Sequence, residues 1–143
     1  MALTDFRCVF RFRVPFCDMD MRQHVNNASY VVWIETSRCL YCDEVLDQPI
    51  SGQSGVILAR LEIDYELPLD YREEVAVTGR ISRIGRKSFD FEHEIWSETR
   101  NKRAAHAVAS MVAYDHSTKS SIVFPQQWRD IVAGYELIAP IVG

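Results

Sequence analysis

The sequence predicts an α+β domain in which an antiparallel sheet of five strands packs against one long helix. Three observations predict it: a period-2 segment near the N-terminus, one long stretch without Gly or Pro, and a series of period-2 segments joined by turns after it. Strands and helix are segregated along the chain, which separates the pattern from an alternating β-α arrangement.

The first strand spans Arg7 to Val14, where Arg7, Val9, Arg11 and Arg13 alternate with Cys8, Phe10, Phe12 and Val14, and Pro15 ends it. The helix starts at Asn26 or Asn27, either of which can cap its first turn, and runs to about Leu46; Pro49 and Gly52 close it. Tyr30 to Ile34 and Cys39 to Tyr41 make it apolar around much of its circumference, so it is mostly buried. A polar turn follows over residues 51–55. Ile57, Ala59, Leu61, Ile63 and Tyr65 then alternate with Arg60, Glu62, Asp64 and Glu66 until Leu67-Pro68 breaks the strand. Two strands at hairpin spacing come next, Glu74–Ile84 and Ser88–Glu98, joined by Gly85-Arg86-Lys87, with Phe89, Phe91, His93 and Ile95 on one face of the second. Ala104–Tyr114 gives a fourth strand in this meander, and Pro125 opens a short C-terminal helix. One helix cannot cover both faces of a five-stranded sheet, so either part of the other face is solvated or a second copy covers it: a homodimer is expected, with a tetramer also compatible.

Composition narrows the function. At 143 residues, 48% hydrophobic and 25% charged, the chain is expected to form a single domain over residues 1–143 with a self-sufficient core. No apolar run reaches the roughly 18 residues of a membrane span, and the start lacks a secretory pattern, so a cytoplasmic protein is expected. A net charge of −4 argues against a general nucleic-acid binder. Cys8, Cys17, Cys39 and Cys42 do not form a disulfide framework, and the C-x-x-C of Cys39 and Cys42 lacks the two further ligands of a zinc site. Mid-helix, these two read as buried reduced thiols, and no metal site is expected.

The chemistry concentrates in PFCDMDMRQHVNNASY, residues 15–30, between the first strand and the helix. A loop entering a helix N-terminus offers unpaired N–H groups and a favourable dipole to developing negative charge, and Asp18 and Asp20 lie beside it. A carboxylate next to oxyanion donors is a hydrolytic arrangement. Asp18 reads as a turn residue bonded to the backbone of its own loop, a role open to Asp20 as well. His24 can satisfy a loop carbonyl, Asn26 and Asn27 can cap the helix, and Glu35 can pair with Arg38 at i,i+3. His93, His106 and His116 lack ligand spacing and read as structural.

The string DMDMRQHVNNASY followed by VVWIE resembles the signature of hotdog-fold acyl thioesterases, namely the 4-hydroxybenzoyl-CoA thioesterase family and the plant acyl-ACP thioesterases. LEIDYELPLDYREEVAVTGRISRIGRKSFDFEHEI resembles the family's central strands, and Pro125 with Trp128-Arg129 its tail, so the resemblance spans nearly the whole chain. It implies a five-stranded sheet wrapped around one central helix, and hydrolysis of a fatty or aromatic acyl thioester to the free acid and CoA. It also implies Asp20 as general base or nucleophile, the amide of Asn27 or a near neighbour polarising the thioester carbonyl, and His24 in support. The Asn of the plant enzymes' catalytic set would fall at Arg22, which cannot accept a proton but can orient an anion, so the single-carboxylate mechanism is favoured. Arg83, Arg86, Lys87 and Ser88 resemble the region contacting pantetheine and nucleotide, although a solvated hairpin tip is an equal reading. Tyr30, Trp33 and Ile34 would bear on acyl specificity. CoA would enter only as part of the substrate, with no separate cofactor. An acyl-ACP substrate, received by Arg7, Arg11 and Arg13, and a non-catalytic acyl-thioester-binding module remain alternatives.

Overall fold

The computed structural model describes residues 1–48 and 54–143. Strand β1 (Cys8–Arg13) leads through a loop to helix α1 (Asn27–Glu44), followed by β2 (Ser54–Tyr65), β3 (Glu74–Ile84), β4 (Ser88–Ser97) and β5 (Lys102–Asp115). The two-residue strand β6 (Ser120–Ser121), helix α2 (Gln126–Tyr135) and the two-residue strand β7 (Ile141–Val142) come last. The turn expected over residues 51–55 lies mostly outside the described residues, and Ser54 and Gly55 already belong to β2.

The five long strands form one antiparallel sheet in the order β1-β3-β4-β5-β2, with β7 added parallel to β3. This corrects the four-strand meander. β2 does not neighbour β3 but pairs with β5 at the far edge, and β1 takes the place beside β3. The reason is the Glu66–Glu73 connection, which contains Pro68 and is no tight turn, whereas Gly85-Arg86-Lys87 closes a hairpin with Gly85 N–H on Ser88 C=O at 2.7 Å. A bulge between Leu58 and Arg60 makes a second correction. Leu58 opposes Met111 while Ile57 opposes Val112, so the uniform alternation expected from Ile57 to Tyr65 breaks at Ala59.

Helix α1 lies in the curl of the sheet and buries Tyr30, Trp33, Ile34, Ser37, Arg38 and Tyr41, the i, i+3, i+4, i+7 face of a helix packed along its length. Around its N-terminal half, Tyr30, Trp33 and Ile34 meet Leu69, Val77 and Ile95. Around its C-terminal half, Tyr41 and Leu46 meet Phe89, Phe91, Phe124 and Trp128. A polar layer separates the two: Ser37 Oγ donates to Thr78 C=O at 3.2 Å, and His93 Nδ1 lies 2.9 Å from the same oxygen. A Cβ at position 79 would sit 2.7 Å from Ser37 Oγ, so glycine lets the helix approach β3 here. Among the described residues no helix is long and apolar enough to cross a membrane.

His93 is fully buried, and burial, with the nearby Arg38 charge second, lowers its pKa from 6.5 to about 3. Between those values the unfolded chain takes up a proton that the folded chain refuses. Stability therefore falls as pH drops from 6.5 toward 3. Urea unfolding across this range should show that loss in the wild type and a flatter dependence in His93→Gln; parallel curves would refute the assignment.

Candidate active site

The site is built by the loop between β1 and α1. Val14 N–H donates to Glu73 C=O at 2.9 Å, and a single 3-10 turn follows over Phe16–Asp18. A bridge between Met19 and Val25 then pinches off residues 20–24. Inside this tight loop Asp20 N–H donates to His24 C=O at 3.0 Å, and Gln23 takes the left-handed conformation with φ 66°. The Asp20 carboxylate accepts the Arg22 N–H through Oδ1 at 2.8 Å, and its Oδ2 has no hydrogen bond among the described residues. Asp20 thus does act as a turn residue, but with one oxygen only.

Asn26 is the helix cap, its Oδ1 accepting Ala28 N–H at 2.8 Å, and Asn27 is the first helical residue. The Asn27 N–H has no hydrogen-bond partner among the described residues, while its carbonyl accepts the Tyr65 hydroxyl at 3.2 Å. The N-terminal end of an 18-residue helix therefore opens with an unsatisfied donor and the positive end of its dipole. Asp20, Arg22, His24 and Asn27 line one cleft of about 590 Å³, with Tyr30 beneath and the end of β2 through Pro68 opposite. The cleft brings together a carboxylate with a free oxygen and an N–H group able to receive an oxyanion.

Asp18 is not the self-contained turn residue expected. Its carboxylate crosses to α1, where Oδ1 accepts Ser29 Oγ–H and Oδ2 accepts Trp33 Nε1–H, both at 3.0 Å, and its carbonyl takes Asn26 N–H at 2.8 Å. Ser29 and Trp33 stand four residues apart on one helix flank, so both donors face the loop. His24 Nδ1 lies 3.3 Å from Asp70 Oδ1. Asp70 and Tyr65 come from beyond the loop motif and had no local spacing to mark them. Tyr30, 2% exposed, donates to Leu67 C=O at 3.1 Å, and burial pushes its phenol up to about 12. Trp33 and Ile34 are core residues and do not line the cleft.

The basic turn is elsewhere. Ser88 pairs with Val112 and Tyr65 with Ala105, so along β5 the turn and the cleft are separated by roughly 23 Å at about 3.3 Å per residue. Arg83 is held by Asp90 at 2.7 and 3.2 Å and by Ser88 Oγ at 3.3 Å, and Lys87 Nζ reaches Ser121 Oγ at 3.2 Å. Arg86 is exposed. Arg11 and Arg13 pair with Glu98 and Glu74 at 2.6 and 2.5 Å, and Arg7 lies over the Tyr135 ring, so these arginines are not a free basic row. Glu35 and Arg38 form no ion pair among the described residues: Arg38 is buried in the fold and Glu35 is exposed, which corrects the i,i+3 pairing. Cys39 and Cys42 lie within α1 as expected, and burial holds both as thiols, Cys42 up to about 12. Among the described residues no group of three His, Cys, Asp or Glu side chains is placed to hold a metal ion.

The Asp18 tether is a testable support of this geometry. Asp18→Ala should cost about 1.5–3 kcal/mol in urea unfolding and alter Trp33 emission, because it strips the indole N–H of a charged partner. Asp20→Asn, with a single local bond at stake, should stay within about 0.5 kcal/mol of wild type.

A sequence model of the thioesterase-like superfamily matches residues 14–132. The long-chain acyl-CoA thioesterase FadM of Escherichia coli (strain K12) is 22% identical over 114 residues, 78% of this chain and 86% of that protein. A thioesterase from Thermus thermophilus, solved with coenzyme A and Zn, is 26% identical with a TM-score of 0.84, covering 96% of this chain and 99% of that one. The PA5185 protein from Pseudomonas aeruginosa strain PAO1 shares the fold with a TM-score of 0.83 at 21% identity, covering 93% of this chain and 94% of that one. With its helix enclosed in a curled antiparallel sheet and its carboxylate beside the helix N-terminus, the chain belongs to the thioesterase-like superfamily as a hotdog-fold thioester hydrolase.

Proposed function

We propose that this protein is a cytoplasmic acyl-CoA thioesterase that hydrolyses a fatty or aromatic acyl thioester to the free acid and CoA. The observation that carries the reading is the free Asp20 oxygen sharing a cleft with the open N–H of Asn27. A thioester carbonyl oxygen placed at that N–H gains hydrogen-bond and dipole stabilisation as negative charge develops. Asp20 then either draws a proton from an attacking water, so that expulsion of the CoA thiolate gives the acid directly, or attacks the carbonyl carbon itself. In the second case expulsion of the thiolate leaves an acyl-aspartyl anhydride that water then hydrolyses to the acid and the free carboxylate; in both, the proton released from water goes to the CoA thiolate. His24, steadied by Asp70, lies within the same cleft to help orient that water or the carbonyl, and Arg22 to orient an anionic part of the substrate. The chemistry falls to these side chains, with CoA present only as part of the substrate. CoA relatives such as FadM and the coenzyme A complex from Thermus thermophilus support this carrier. An acyl-ACP substrate is less favoured, because Arg11 and Arg13 already meet carboxylates.

A second copy belongs to this reading. β2 is a twelve-residue edge strand with Ile57 and Leu58 exposed, the kind of edge that another strand covers. Antiparallel pairing of two β2 edges about a two-fold axis would continue the sheet and carry the partner's basic turn toward the cleft end of the first chain. Arg86 and Lys87, remote from their own cleft, would then face the phosphates of CoA bound at the other.

Two measurements test these assignments. Free-thiol release from a panel of acyl-CoA thioesters should show saturable turnover, and Asp20→Asn should lower kcat/KM by about 100-fold or more. Full activity in that variant would remove Asp20 from the mechanism, and CoA binding without turnover on any thioester would favour a binding module. Replacing Arg86 and Lys87 by Gln should raise KM for acyl-CoA but not for truncated acyl-pantetheine; equal effects on both would refute a nucleotide contact.

A further inference from the structure

Arg38 is one of four residues with a buried side-chain polar atom left without a hydrogen bond among the described residues, and the one with neither a hydrogen bond nor an ion pair at any of its side-chain nitrogens. It is 5% exposed, its Nη1 is sealed from solvent, and it makes no hydrogen bond or ion pair among the described residues. A buried guanidinium without an acceptor is costly, and natural folds rarely keep one without a partner. The neighbouring His93 offers no charge compensation, since it is neutral and its Nδ1–H is taken by the Thr78 carbonyl. Glu35, one turn earlier on α1, is exposed and likewise without a hydrogen bond or ion pair among the described residues.

Val31, Glu35, Arg38 and Cys42 are spaced i+4, i+3, i+4 and so run down one flank of α1. The opposite flank carries Ser29 and Trp33, which bind Asp18 and pack on Phe12 of β1 at one edge of the sheet. The Glu35–Arg38 flank therefore faces the other edge, that of β2. A two-fold axis there makes the helices of two copies antiparallel and requires a self-complementary patch. The stripe meets that requirement: about a point between residues 36 and 37, Glu35 exchanges with Arg38 and Val31 with Cys42.

We propose that Arg38 is completed by the partner's Glu35, giving two reciprocal ion pairs across the axis of a homodimer formed along β2. The proposal rests on the β2 pairing described above and is independent of how Asp20 acts. Within one chain Arg38 feels its own Glu35 only at a distance, without a hydrogen bond or ion pair; the partner's Glu35 would supply the direct contact.

Charge complementation tests it by sedimentation. Glu35→Arg changes an exposed residue, so the chain should keep its far-UV circular dichroism while its dimer dissociation constant rises about 100-fold or more, like charges now facing each other. Arg38→Glu should behave alike. An equimolar mixture of the two variants should restore a dimer of wild-type affinity, because each chain then offers the other only opposite charges. A Glu35→Arg dimer as tight as wild type, or a monomeric wild type, would overturn the proposal. So would a mixture of two folded variants that associates no better than its components. If Arg38→Glu does not fold, the Glu35→Arg measurement alone decides. Thiol release by Asp20→Asn reports on the hydrolytic reading separately, so either can fail without the other.

Discussion

The bond from Trp33 Nε1 to the Asp18 carboxylate, with Ser29 Oγ on its other oxygen, ties the β1–α1 loop to the helix it feeds. Trp33 is itself locked by ring contacts to Phe12 of β1 and Tyr30 of α1. The strand, the loop and the first turns of the helix thus share one anchored group. Asp20 sits two residues beyond that anchor and Asn27 nine, on the two sides of the Met19–Val25 bridge. Their relative placement is therefore set by this anchor to the core together with the loop's own bonds, Asp20 N–H to His24 C=O and Arg22 N–H to Asp20 Oδ1. In the proposed mechanism the carboxylate and the N–H would act on the same carbonyl, and that rigidity would hold them in place for it.

The polar layer beneath the middle of α1 has a related consequence. Ser37 and His93 share the Thr78 carbonyl, and the close approach of helix and strand at Gly79 fixes where along the sheet the helix lies. Apolar packing in the two clusters on either side tolerates sliding better than hydrogen bonds do. Fixing the helix along its axis also fixes its N-terminus in the cleft, and it would fix the height at which Glu35 and Arg38 meet a second copy in the proposed dimer. One buried hydrogen-bonded layer therefore registers both the site and the flank that faces β2.

What could be read from the sequence was local in the chain. Asp20, His24, Asn26 and Asn27 fall within eight residues, and a loop that caps a helix places such neighbours together whatever surrounds it. The hairpin at Gly85-Arg86-Lys87 and the i, i+3, i+4 face of α1 are local in the same sense. What escaped was non-local. Asp70 reaches His24 across 46 positions, and Tyr65 reaches Asn27 across 38, by the path of the Glu66–Glu73 connection. The edge position of β2 depends on β1 winning the place beside β3, a competition that alternation cannot express. At Ala59 a single extra residue inverted the facing of Ile57, which no periodicity would reveal. Glu35 and Arg38 look like an ordinary i,i+3 pair until burial separates them.

The net charge of −4 also takes on a spatial meaning. Most arginines of the sheet are matched within the chain: Arg80 with Glu92, Arg83 with Asp90, Arg100 with Glu73, and Arg103 with both Glu66 and Glu94. Against that background, Arg7, Arg22, Arg72, Lys102, Lys119 and Arg129 have no carboxylate partner among the described residues. Three further cations that lack one, Arg86, Lys87 and Arg38, share a property. Each of the three lies where its own chain offers it no carboxylate, the first two at the end of the sheet away from the cleft and the third on the flank of α1 opposite β1. A single two-fold operation about the β2 edge would give all three a counterpart, phosphates for Arg86 and Lys87 and a carboxylate for the buried Arg38. That one operation would answer three separate charge imbalances is a stronger argument for a second copy than the exposed apolar edge alone, because apolar edges accept many coverings and charges in fixed positions accept few.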